Sequence, residues 1–162
     1  MTNELTYSHF GMIGDILFSL YFCFEATQAQ EQTKFNFQIQ TNVPFTPSIC
    51  EQSSRGDKHV FFTKKEAEFI KPLLEAQPYI NKVIIDDNVA EDTFNLSNFR
   101  KLPLNLAAGD IREWYYQLVA NLLQKEFWKQ ILFVNPNYKF QDKILFTLSE
   151  RYVNANIDFS QL

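Results

Sequence analysis

The chain has 162 residues, 46% of them hydrophobic with 17 Phe, and a formal net charge of −4. That suits one domain with enough apolar side chain to fill a core, and a mildly acidic chain without a basic run is a poor match for nucleic acid, whose affinity comes mainly from neutralised phosphates. Cys23 lies in an apolar run and Cys50 in a polar one, with no CxxC spacing and only His9 and His59 to join them, so reduced thiols, a cytoplasmic setting and no structural metal are expected.

In chain order, Leu5 to Phe10 reads as a short strand. The stretch HFGMIGDILFSLYFCFEA, His9 to Ala26, follows. Its apolar run between Asp15 and Glu25 is about half of the roughly 20 residues that a bilayer span needs, so no transmembrane segment is expected. A secretory signal needs positive charge ahead of its apolar core, whereas the first Lys or Arg here is Lys34. The run is read instead as a helix from Asp15 to about Gln28, apolar on nearly every side and buried on more than one face.

FNFQIQT, Phe35 to Thr41, alternates apolar and polar residues as a strand does. The Pro, Ser and Gly of VPFTPSICEQSSRGDK mark a surface insertion, and HVFF after it is a third strand candidate. Thr63 caps a helix over KKEAEFIKPLLEAQ, with Glu66 at capping-box spacing and a stripe of Phe69, Ile70, Leu73 and Leu74. Pro78 ends it, and KVIID is the next strand. The resulting β-α-β-β-α-β order predicts an α/β fold with a mostly parallel sheet. DIREWYYQLVANLLQ reads as a helix capped near Asp110, followed by strand-like QILFV and KILFTL on either side of the polar NPNYKFQD.

A turn from first strand to first helix, at the carboxyl edge of a parallel sheet, is where such folds place ligands. Free N–H groups and the positive end of the helix dipole face a phosphate there, and glycine lets backbone approach it. His9-x-Gly11-x-x-Gly14 is a dinucleotide fingerprint with its first glycine replaced, and no Asp or Glu ends FNFQIQT to hold a ribose. A nicotinamide cofactor is therefore not expected. Asp15 has two readings: a helix N-cap, which Asp often is, or an ionised carboxylate available for chemistry. On capping alone, Asp15→Asn is expected to change stability by less than about 1 kcal/mol.

HFGMIGDILFSL resembles the loop-helix signature of the glycosyltransferase family 9 enzymes, the ADP-heptose:lipopolysaccharide heptosyltransferases. LLEAQPYINKVIIDD is similar to the family segment in which a helix runs into Pro-Tyr-Ile and a strand. FNLSNFRKLP, the helix with Trp114, and KILFTLSERYVNANIDF resemble further stretches, whereas KQILFV departs from the family's Pro-Trp-Leu type run. The resemblance implies a Rossmann-like three-layer domain, the N-terminal domain of the GT-B fold. It assigns residues 1–135 to an acceptor-side domain, 136–143 to a linker and 144–162 to the start of a truncated donor domain.

The implied activity is transfer of a sugar from a nucleotide-sugar, a co-substrate rather than a cofactor, to a glycan or lipid-linked acceptor. No metal is implied. The partners would be donor, acceptor and a separate donor-domain polypeptide, with the inner membrane face as a peripheral location. The family's general base falls on Asp15, and the acceptor or phosphate loop on His9, Gly11, Met12, Ile13 and Gly14. Arg100 and Lys64, with Arg55, Lys58 and Lys65, are candidates for an anionic acceptor, or else solvated surface. His9 could face the acceptor or be a packed polar residue. Trp114, Tyr115 and Tyr116 could stack on a sugar, although adjacent helical positions point apart and core packing is expected for at least one. Asp86 and Asp87 read as loop or cap residues. The competing reading of the whole chain is a non-catalytic binding or remnant module of the same fold.

Overall fold

In the computed structural model, which describes residues 4–44, 60–104 and 110–119, the chain runs β1 (Thr6–His9), α1 (Ile13–Ala29), β2 (Phe35–Gln40), α2 (Lys64–Glu75), β3 (Ile80–Asp86) and β4 (Phe94–Asn95). A 3-10 helix over Leu96–Lys101, α3 (Ile111–Tyr116) and a 3-10 turn over Gln117–Val119 follow. The strands form one sheet in the order β3-β2-β1-β4, and every pairing is parallel. This is the expected α/β fold, a parallel sheet flanked by helices in the Rossmann-like three-layer manner.

Among the described residues of HVFF, Val60 to Phe62, the expected strand does not form. Of HVFF, Val60 makes only an isolated antiparallel bridge to Pro44. Phe61 N–H donates to the Val43 carbonyl, and Asn42 N–H donates to that of Phe62. The run is apolar because Phe61 and Phe62 are buried, and burial alone does not distinguish a strand from a loop pressed onto the core. The expected β-α-β-β-α-β order is therefore one strand too rich before α2. In compensation, the sequence reading passed over β4 and the 3-10 helix after it. Asn95 caps that helix, its Oδ1 accepting from Ser97 N–H at 3.0 Å.

The period-2 pattern of β2 sorts its side chains. Phe35, Phe37 and Ile39 point to one face, in register with Tyr7, His9, Val83 and Ile85. Tyr7, Phe35, Phe37, Ile39 and Val83 join Ile16, Leu20 and Phe22 of α1, Ala67, Ile70 and Leu74 of α2, and Tyr115 and Tyr116 of α3 in one buried cluster, with partly buried Ile85 packed against it. The opposite face carries Ser8, Asn36 and Gln38, also buried but polar. Gln38 and Gln40 there donate to the carbonyls of Asn88 and Asp87, which ties the β3–β4 connection to the sheet.

Helix α2 begins as expected. Glu66 N–H donates to Thr63 Oγ1 at 3.2 Å, and Thr63 N–H donates to Glu66 Oε2 at 2.8 Å. Pro72 lies inside the helix without ending it. The expected stripe needs one correction: Phe69 is 81% exposed. Ala67, Ile70 and Leu74 define the inward face, and Phe69 sits about 100° around the helix from Ile70. Asp110 caps α3 as expected, its carboxylate accepting from Arg112 N–H at 2.9 Å.

Among the described residues no helix is long and apolar enough to cross a membrane. Cys50, Arg55, Lys58, His59, the strands QILFV and KILFTL, the linker and the expected start of a donor domain lie outside the described residues.

Candidate active site

Strand β1 is central, and its carboxyl end delivers His9 and the turn Phe10–Met12 to the edge from which α1 rises. The helix starts earlier than the sequence pattern predicts, with Met12 as N-cap. Asp15 is therefore not the cap but the third helical residue. Its carboxylate reaches back, Oδ2 accepting from Met12 N–H at 3.2 Å, and an anion in the first helical turn is favoured by the dipole.

The second partner of that oxygen comes from the far side of the sheet edge. Arg100, in the last turn of the 3-10 helix, places Nη2 at 2.6 Å from Asp15 Oδ2, and both side chains are only 15% exposed. The Arg100 guanidinium lies 5.1 Å from the Phe61 ring centroid and 5.0 Å from that of Phe99, within the range of cation–π attraction. Trp114 stacks on Phe99 in turn, centroids 5.6 Å apart. The cation is thus clamped by aromatic rings as well as paired.

His9 is fully buried. Gly11 N–H donates to its Nδ1 at 2.6 Å; a backbone N–H can only donate, so the ring proton resides on Nε2. Nε2 lies 3.0 Å from the Tyr115 hydroxyl, and Tyr115 passes its own proton to the Asp15 carbonyl at 2.8 Å. The result is a directed chain from Gly11 through imidazole and phenol to the backbone of Asp15. Burial, helped by the Arg100 charge, lowers the His9 pKa to about 3, so the ring is neutral and structural. Burial likewise raises the Tyr115 pKa well above its ordinary value, with the Asp15 charge adding to the shift.

This arrangement has a sign in acid. The unfolded state protonates His9 near pH 6.5 and the folded state only near 3, so stability is full above about pH 6.5 and falls as pH drops towards 3, by up to about 1.4 kcal/mol per unit. Between pH 7 and 4.5 the parent is expected to lose about 2.5 kcal/mol more than His9→Asn, read from urea midpoints. Equal losses would mean that His9 is not the buried neutral base described.

The loop's glycines serve different ends from those the motif suggests. A Cβ on Gly11 would meet His9 Cε1 at 2.3 Å and Asp15 Oδ2 at 2.6 Å, so the close approach at Gly11 is to the protein's own side chains. Phe10 N–H donates to Ser97 Oγ at 3.0 Å; two N–H groups of the expected phosphate loop, those of Gly11 and Met12, are likewise engaged within the chain. Gly14 is helical and exposed, with only Phe18 Cε2 at 3.9 Å from a Cβ there. Ile13 is exposed beside it.

Lys64 is placed elsewhere. It lines a cavity of about 290 Å³ with Thr41, Asn42, Ile85, Asp86, Asp87 and Asn88, and none of the Asp15 loop contributes to it. Hydrogen bonds from Thr41 and Asn42 lower the pKa of Asp87, which lies in the loop after β3 as expected; Asp86, expected in a loop or cap, is instead the last residue of β3 and accepts from Asn88 N–H at 3.0 Å. Tyr115 and Tyr116 are core residues; Trp114 is half-buried against Phe99.

Sequence reasoning named Asp15, His9, Gly11 and Arg100 without joining them. It missed Ser97 and Phe99, and the Asn95-x-Ser97 cap was the available signal for the 3-10 helix that carries both. No family model matches the chain, and neither a curated protein nor a solved structure matches it. Chemically, the site offers one carboxylate at a helix start, held by a clamped cation, at the carboxyl edge of a central strand. That arrangement suits a general base or an anchor for a hydroxyl.

Proposed function

We propose that the chain is the acceptor-side half of a heptosyltransferase-like glycosyltransferase, moving a sugar from a nucleotide-sugar to a hydroxyl of a glycan or lipid-linked acceptor. The observation that carries the reading is the position of Asp15, in the first turn of α1 beside the end of central β1, where ligands of parallel α/β sheets bind. The resemblance of HFGMIGDILFSL to the family's loop and helix supports it. In an inverting transfer, a base on the acceptor side takes the proton of the attacking hydroxyl as the donor's leaving group departs from the anomeric carbon. Asp15 would be that base, with the nucleotide-sugar supplied from a donor-side domain.

One observation favours the competing reading of a non-catalytic module: Oδ2 of Asp15 is already engaged by Arg100 and by Met12 N–H. Chemical-shift mapping of the labelled chain separates the two readings from a nucleotide-binding one. A panel of lipopolysaccharide core glycans is expected to perturb the amides of residues 10–16, and free nucleotide-sugars are expected to leave them unmoved. A response to nucleotide-sugars alone would place the donor here and overturn the acceptor-side reading, as would silence towards every glycan.

A further inference from the structure

We propose that Arg100 is the positioning residue of the site, holding the Asp15 carboxylate ionised and in a single orientation through a guanidinium that Phe61 and Phe99 keep in place. This rests on the reading of Asp15 as base and extends it to the residue that tunes that base. The pair spans two elements 85 residues apart, so neither helix brings it about alone. Arg100 closes on Asp15 at 2.6 Å, while Phe61 from the loop before α2 and Phe99 from the 3-10 helix flank the guanidinium.

Asp15 is also faced by the peptide N–H of Met12 and by Tyr115, which reaches the Asp15 carbonyl and is backed by neutral His9. The Arg100 charge lowers the carboxylate's proton affinity, since an opposite charge at 2.6 Å favours the ionised form. A cation on a long chain would ordinarily sample many rotamers. Stacking between two rings and the planar fork of the guanidinium remove that freedom, which a Lys at the same place would not reproduce. The trade for the base is definite: it stays deprotonated further into acid, and it is a weaker proton acceptor than a free carboxylate.

The test uses Arg100→Met, Arg100→Gln and Arg100→Lys in the full chain. Gln keeps hydrogen-bond donation without charge and serves if Met does not fold. Titration of Asp15 followed at its carboxyl carbon by NMR is expected to show the midpoint moving up by one pH unit or more, a tenfold gain in proton affinity, in Arg100→Met and Arg100→Gln. Arg100→Lys is expected to restore most of that shift. In the sugar-transfer reaction with a donor domain present, the acid limb of the rate profile is expected to move by the same amount. An unmoved Asp15 midpoint in both uncharged variants would show that Arg100 only fills space and would overturn the proposal. A moved midpoint with an unmoved acid limb would support Arg100 as the partner that tunes Asp15 and remove Asp15 from the role of base, so the two ideas fail separately.

Discussion

Under the proposed function, Asp15→Asn is expected to lower sugar transfer by on the order of 10²-fold or more, measured with a donor domain and a saturating acceptor, while the fold is retained. The amide cannot take the proton of the attacking hydroxyl, yet its oxygen can still accept from Met12 N–H or from Arg100. Stability responds more than the capping argument alone predicts. Asp15 is the third helical residue, and the substitution leaves the Arg100 guanidinium, 15% exposed, without its counter-charge. A loss of about 1.5–3 kcal/mol is expected in place of the sub-1 value, the range for a hydrogen bond to a charged group. Parental activity in a folded Asp15→Asn protein would reduce Asp15 to a structural tie between α1 and the 3-10 helix.

Gly11→Ala is expected to destabilise the chain by about 3 kcal/mol, at the upper end of overpacking effects, and to unseat His9 and Asp15 together. The methyl group would lie 2.3 Å from His9 Cε1 and 2.7 Å from Asp15 Cβ. Neither is the free end of a flexible side chain: the imidazole is fully buried and hydrogen-bonded at both nitrogens. Gly14→Ala carries the opposite sign. Its Cβ has room, and Ala in a helix is more stable than Gly by about 0.5–1 kcal/mol. Urea unfolding of the two variants tests the contrast; a Gly14→Ala protein as damaged as Gly11→Ala would show that the two glycines share one role after all.

What the sequence made legible is what depends on neighbours in sequence. The alternation of FNFQIQ, the Thr63–Glu66 box and the apolar mass of α1 each specify an element within a dozen or so residues, and each element is present. Failures occurred where tertiary context decides. HVFF is apolar because Phe61 and Phe62 are buried in a loop pressed onto the core, and Phe69 looked like part of a stripe until the turn of the helix placed it in solvent. Two-residue β4 is too short to leave a period. The site was half legible: the loop residues were identifiable by type, but the partner of Asp15 lies 85 residues on and that of His9 106 residues on, and no local pattern encodes such pairings. Arg100 was therefore read as a candidate for an anionic acceptor or else as solvated surface, whereas it is clamped on Asp15.

Those separations also order the assembly of the molecule in time. β1 meets β2 across 30 residues, whereas the Phe10–Ser97 and His9–Tyr115 links close loops of 87 and 106 residues. Contacts at longer range carry the larger closure entropy and form late. The β1–β2–β3 half is therefore expected to collapse around α1 while the side bearing Ser97, Arg100 and Tyr115 is still open. A chain caught at that stage would have β1, β2 and β3 paired but no held carboxylate, so among the described elements the Asp15–Arg100 edge is expected to be the last to form.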